Sequence, residues 1–229
     1  MLRTTLALCL SAIASIEAQA ASSVDLQKQT ISTSVDTSIL RALIKFGSET
    51  RIPIGIVLDT VKPEKLCEEH RQFTLQSRPM SEFLNRLLAQ SSYVWLFDQG
   101  VILVRPAHLP DRVSQVLEMK FDRFGGIPTT MQGLGITLSG WIYSRLHPEA
   151  SGFAGDILSS PDAEQFPKFE VRDASVEQIL NQIVLLGSKG IWLLRLSQDF
   201  EHNKDIDLHT YSYKDDAPAL QATCSSMKQ

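Results

Sequence analysis

Two stretches of the chain carry the same order of apolar and polar positions. Residues 73–97 read FTLQSRPMSEFLNRLLAQSSYVWLF and residues 169–193 read FEVRDASVEQILNQIVLLGSKGIWL, an offset of 96 that sets Phe73 on Phe169. Met80, Phe83, Leu84, Leu87 and Leu88 then fall on Val176, Ile179, Leu180, Ile183 and Val184. Both sets follow i, i+3, i+4, i+7, i+8 spacing, which gathers side chains on one face of a helix with 3.6 residues per turn. Leu84-Asn85 and Leu180-Asn181 are identical pairs. Pro79 suits the first helical position of the earlier helix, where no N–H is needed. Asp173 can cap the later one by accepting from free backbone N–H groups.

The surroundings of the two helices match as well. A short strand with Phe precedes each (73–75 and 169–171), and an apolar strand bearing Trp follows each (93–97 and 191–196). A further strand comes next: 101–104, reached through the tight-hairpin composition Asp98-Gln99-Gly100, and 206–213, reached through a longer polar loop. Upstream, residues 35–38 read as a helix start, with Ile39, Leu40, Leu43, Ile44 and Phe46 as the buried face, and 52–58 as a strand with Pro53 near its start. In the later copy, 113–121 alternates as a strand and 129–146 reads as a helix. Gly133, Gly135 and Gly140 each cost that helix about 1 kcal/mol against Ala, so it needs close packing or begins later. Gly152-Phe153-Ala154-Gly155 stands where Ile52-Pro53-Ile54-Gly55 stands in the first copy. The expectation is an α+β protein of two related small units, each of about two helices packed on short β-strands in the order βαββαββ. The alternative is one continuous α+β domain without a repeat.

The first twenty residues change the length available to that fold. Arg3 precedes an apolar run over residues 6–16, and Ala18-Gln19-Ala20 supplies small residues at the −3 and −1 positions of a cleavage site. This is the three-part pattern of a signal peptide. A helix of that run reaches only about 16 Å, roughly half a bilayer, so a stable span is not expected. The division that follows is 1–20 signal peptide, 21–105 first unit, 106–111 linker (PAHLPD), 112–216 second unit and 217–229 flexible tail. Of the three cysteines Cys67 and Cys224 then remain, and an oxidising compartment would let them pair. The 229 residues are 43% hydrophobic and 21% charged, which excludes wholesale disorder, and the net charge of −4 disfavours nucleic acid as a partner. Residues 199–216 hold six acidic and two basic side chains, a surplus equal to the whole imbalance of the chain.

Residues 30–105 resemble the short N-terminal domain shared by secretins and TonB-dependent receptors, an STN-like unit. The resemblance rests on Ser38-Ile39-Leu40-Arg41-Ala42-Leu43-Ile44 running to Ile52-Pro53-Ile54-Gly55-Ile56-Val57, and on Phe73-Thr74-Leu75, then Met80 to Leu88 and Tyr93 to Val104. It implies a duplicated unit in a secreted bacterial protein, a periplasmic or secreted location, and a protein–protein interaction or scaffolding role with a partner in the cell envelope. It carries over no catalytic residue. A soluble accessory subunit of an envelope secretion or transport machine fits the same features.

No motif for chemistry competes strongly with that reading. A P-loop and a G-x-S-x-G elbow are absent, and Ser225-Ser226-Met227-Lys228 lies at the chain end. The five histidines, His70, His108, His147, His202 and His209, have neither HExxH spacing nor paired CxxC neighbours, so no metal or cofactor is expected. His202 and His209 beside Asp205 and Asp207 make at best a weak cation site. A hydrolase-type site between the units is the rival reading, with Glu149 and Asp156 as its only carboxylates of note. The surfaces proposed for a partner are Tyr93, Trp95 and Phe97, which share one strand face, and the acidic Asp205 and Asp207. Extension of a sheet edge by a partner strand is one way such a module binds.

Overall fold

The computed structural model describes residues 25–59, 61–62, 64–126, 129–149, 163–166, 168–187, 189–196 and 206–214. The stripe Ile39, Leu40, Leu43, Ile44 and Phe46 is buried along one face of helix α1 (Ile39–Thr50), which follows strand β1 (Thr30–Ser38) without a break. Strand β2 (Ile54–Val57) and the short helix α2 (Lys65–Glu68) lead to β3 (His70–Pro79). Helix α3 (Met80–Leu88) buries the second stripe, and β4 (Tyr93–Asp98) and β5 (Val101–Pro106) form a hairpin. Gln99 and Gly100 both take positive φ in its two-residue turn, as a turn matched to strand twist requires.

The later half runs α4 (Asp111–Glu118), β6 (Lys120–Gly125), α5 (Met131–Leu146), β7 (Glu170–Ser175), α6 (Val176–Val184), β8 (Gly190–Leu196) and β9 (Ile206–Ser212). The class is α+β, as the sequence pattern predicts. Five features differ from expectation. Residues 35–38, read as a helix start, form the end of strand β1, and α1 opens only at Ile39. Residues 113–121 alternate, yet Val113, Val116 and Leu117 also sit at helical spacing, and their burial makes 111–118 a helix with the strand displaced to 120–125. Asp173 does not cap α6: it holds φ 49° inside β7, and Ser175 is the cap, closing a capping box with Gln178. Pro79 stands one residue before α3 rather than inside it. Pro106 and Asp111 belong to β5 and α4, which leaves only 107–110 as connection. Residues 1–24, 150–162 and 215–229, which carry the expected signal peptide, the Gly152–Gly155 turn with Asp156, and the tail, lie outside the described residues.

The two halves meet in one sheet of order β4-β5-β2-β8-β9. Strand β2 lies between the halves and runs parallel to both β5 and β8, whereas β4–β5 and β8–β9 are antiparallel. Successive side chains of a strand point to opposite faces, and the two cores divide accordingly. Ile102 and Val104 of β5, with Ile191 and Leu193 of β8, join α1 and α3 in one core. Val101 and Leu103, with Trp192, Leu194 and Leu196, join α4, α5 and α6 in the other. Buried on both faces, the centres of β2, β5 and β8 read as continuous apolar runs: residues 54–57, 101–104 and 191–194. Two antiparallel ribbons, β1–β3 and β6–β7, pack on the helices of their own halves.

Close packing explains how α5 keeps its glycines. Gly135 faces β9, where a β-carbon would collide with the side chain of Thr210, and Thr210 Oγ1 donates to the Met131 carbonyl at 2.7 Å. The hydroxyl of Tyr213 donates to the Ile52 carbonyl at 3.0 Å and so ties the two halves together beside the β2–β8 pairing.

Candidate partner-binding surface

Strand β4 forms one margin of the sheet. Its inner edge pairs with β5 from Tyr93 to Asp98, and its outer edge meets no strand among the described residues. Tyr93, Trp95 and Phe97 point toward the α1–α3 core, as their period of two requires. Tyr93 is buried, and its phenol oxygen accepts the Asp59 backbone N–H at 2.9 Å; burial raises its pKa far above the ordinary tyrosine value. Trp95 and Phe97 are half-buried, and Val94, on the opposite face, is 44% exposed.

Asp207 lies on β9, the opposite margin, so it forms no common patch with the aromatic stripe. Asp205 lies outside the described residues. On β9 the Asp207 carboxylate and His209 imidazole are 2.6 Å apart and about half exposed. Burial acts to raise the Asp207 pKa, but the His209 hydrogen bond and charge, with Arg195, hold it below the usual range. The Asp207 hydrogen bond raises the His209 pKa against the opposing effect of burial. His209 also stacks on Tyr211 at 5.6 Å. Cys67 is disulfide-bonded, and both its partner and Cys224 lie outside the described residues.

A cleft of about 520 Å³ runs between α4 and α6, lined by Arg105, Glu118, Lys120, Asp173, Glu177 and neighbours, and it holds neither His nor Cys. Burial raises the Glu177 pKa, with Asp98 and Glu118 adding and Arg105 opposing. Glu149 is elsewhere, exposed beside His147 at 3.7 Å. Among the described residues no three His, Cys, Asp or Glu side chains gather as a metal site, and no helix is long and apolar enough to cross a membrane.

The two Leu-Asn pairs carry a role that the sequence pattern left unread. Trp95 Nε1 donates to Asn85 Oδ1 at 2.8 Å, and Trp192 Nε1 donates to Asn181 Oδ1 at 3.0 Å. The first helical N–H of α3 donates from Met80 to the Gln29 carbonyl at 3.0 Å; that of α6 donates from Val176 to the Met119 carbonyl at 2.9 Å. Ser77 and Asp173, also 96 apart, both take left-handed φ, 48° and 49°. An Asn in each helix followed about ten residues later by Trp was the available signal. The two tryptophans differ in what lies beside them. β2 runs along the outer edge of β8 with Gly55 opposite Trp192, and Trp192 is 1% exposed. Comparison of the chain with protein-family models, curated proteins and solved structures returns no match.

Proposed function

We propose that this is a non-catalytic protein–protein interaction module of the cell envelope, exported by its first twenty residues and built from two STN-like units. Its docking surface is the outer edge of β4. The observation that carries this reading is that edge itself: among the described residues it pairs with no strand, and it is flanked by the exposed Val94 and half-buried Trp95. Unpaired edges with apolar flanks are ready templates for another chain. The sequence resemblance of residues 30–105, the strongly apolar N-terminus and the repeated Asn–Trp hydrogen bond support the same reading.

The test is a photo-crosslinking residue placed at Val94 in the full chain, expressed in its cells, with a matched residue at the exposed Gln76 of β3 as control. One protein cross-linked from position 94 and not from 76 is the expected result. Equal, diffuse labelling from both sites would refute the docking surface. Amino-terminal sequencing of the exported protein should begin at Ala21.

A second reading places hydrolytic chemistry in the α4–α6 cleft, favoured by the raised pKa of Glu177. It requires that Glu177→Gln abolish turnover of some substrate while leaving the Val94 cross-link intact.

A further inference from the structure

The edge of β8 shows what an edge of this kind accepts. β2 lies along it in parallel, with Ile54, Gly55, Ile56 and Val57 opposite Ile191, Trp192, Leu193 and Leu194. Gly55 is required there, because any β-carbon would run into the Trp192 indole, which its bond to Asn181 holds in place. β4 repeats this edge. Trp95 is anchored on Asn85 in the same way, and Val94, Leu96 and Phe97 stand where β8 has Ile191, Leu193 and Leu194. One position is opposite in character: Asp98 stands where β8 carries Arg195. Exposure follows occupancy. Ile191 and Trp192 beside β2 are 0% and 1% exposed, whereas Val94 is 44% exposed and Trp95 half-buried.

We infer that the outer edge of β4 binds an extended segment of a partner protein, running parallel to β4, with an apolar–Gly–apolar sequence whose glycine lies over Trp95 and whose carboxyl-terminal flank is basic. The inference rests on the docking surface proposed above and names its ligand. The glycine follows from the Trp95 indole, which would meet a larger side chain as Trp192 would at Gly55. The two apolar neighbours of the glycine point to the opposite face, where they cover Val94 and Leu96. The basic flank follows from direction: in a parallel pair like β2–β8 the partner's carboxyl-terminal end lies beside the end of β4, where the exposed Asp98 stands. The occupant is a different protein, because the apolar–Gly–apolar segments of this chain are already engaged: residues 54–56 in β2, held between β5 and β8, and residues 134–136 in helix α5.

The probe is a dye-labelled synthetic peptide of the sequence of residues 52–58 followed by two lysines, titrated into the full chain by fluorescence anisotropy. A version with valine for its glycine should bind at least about tenfold more weakly, and one ending in two aspartates should bind several-fold more weakly. Asp98→Lys, a change at an exposed position, should reverse the lysine–aspartate preference, and Trp95→Ala should remove the glycine preference. Circular dichroism and thermal unfolding of both variants establish that they are folded. Equal binding of the glycine and valine peptides, or an unchanged charge preference in Asp98→Lys, overturns the inference. If a partner still cross-links at Val94 in that case, the docking surface stands with a different ligand; if neither occurs, both fall. Concentration-dependent dimerisation abolished by Val94→Lys would identify a second copy as the occupant and also overturn it.

Discussion

At the residue scale, the two Asn–Trp pairs form a matched experiment inside one molecule. Asn181 is 1% exposed and its Trp192 partner is equally buried, so Asn181→Ala leaves an indole N–H with neither protein nor bulk water to accept it. A buried donor stripped of its partner costs about 1–3 kcal/mol, and the truncated side chain adds a cavity. Asn85 binds Trp95 at a half-exposed site where water can replace the amide. Asn85→Ala is therefore predicted to cost under about 1 kcal/mol, and chemical denaturation of the two variants checks the order. A reversal would mean that Trp95 is the better buried of the two in solution.

A second residue-scale prediction concerns pH. His209 has its pKa raised by Asp207, so its contribution to stability is present in full below about 6.5, the unfolded value, and is lost as pH rises through the folded value. Asp207 has its pKa lowered, so its contribution holds above the unfolded value and disappears as pH falls through the folded one. The pair thus acts in the mildly acidic window between them. Both groups are about half exposed, so the effect is small and screened by salt. NMR titration should find the His209 pKa above 6.5 in the native chain and lower in Asp207→Asn. An unchanged value in that variant would remove the pair from consideration.

At the scale of elements, legibility followed the clarity of the period. The stripes of α1, α3 and α6 admit only a helix, and Tyr93, Trp95 and Phe97 alternate as a strand should, so these elements could be read directly. Residues 113–121 fit both periods, and burial of Val113, Val116 and Leu117 decided for a helix. Local chemistry near α6 was ambiguous for a similar reason: Asp173 and Ser175 are both good caps, and only the chain direction set by β7 selects Ser175. Ser175 accepts from Gln178 N–H at 3.2 Å while the Gln178 side chain accepts from Ser175 N–H at 2.9 Å. Ser175→Ala is predicted to lower stability by about 1 kcal/mol, and Asp173→Ala by less, although its left-handed φ favours Asp over Ala. Thermal unfolding of the two variants separates these roles. The aromatic edge of β4 was legible as a stripe, but its identity as an edge was not, because strand order depends on pairings distant in sequence.

At the scale of the whole molecule, the decisive pairing is β2 with β8, which no local pattern announces. It converts two stretches of similar plan into one sheet with helices on both faces. Val57, Val101 and Leu103 belong to the first half of the chain but are buried only in the core built by the second half. Ile191, Leu193, Tyr211 and Tyr213 do the reverse. Neither half can therefore close its core alone, and the chain should unfold in a single cooperative transition rather than half by half. Two variants test this, one retaining Trp95 and the other Trp192 as the sole tryptophan. Their fluorescence denaturation midpoints, each referred to the far-ultraviolet circular dichroism of the same variant, should coincide. Gly55→Ala, placed at the seam, should lower both midpoints together, because crowding against the Trp192 indole strains the junction on which both cores depend. Separate midpoints, or a Gly55→Ala effect confined to the Trp192 probe, would show that the halves are independently stable and that β2 belongs energetically to one of them.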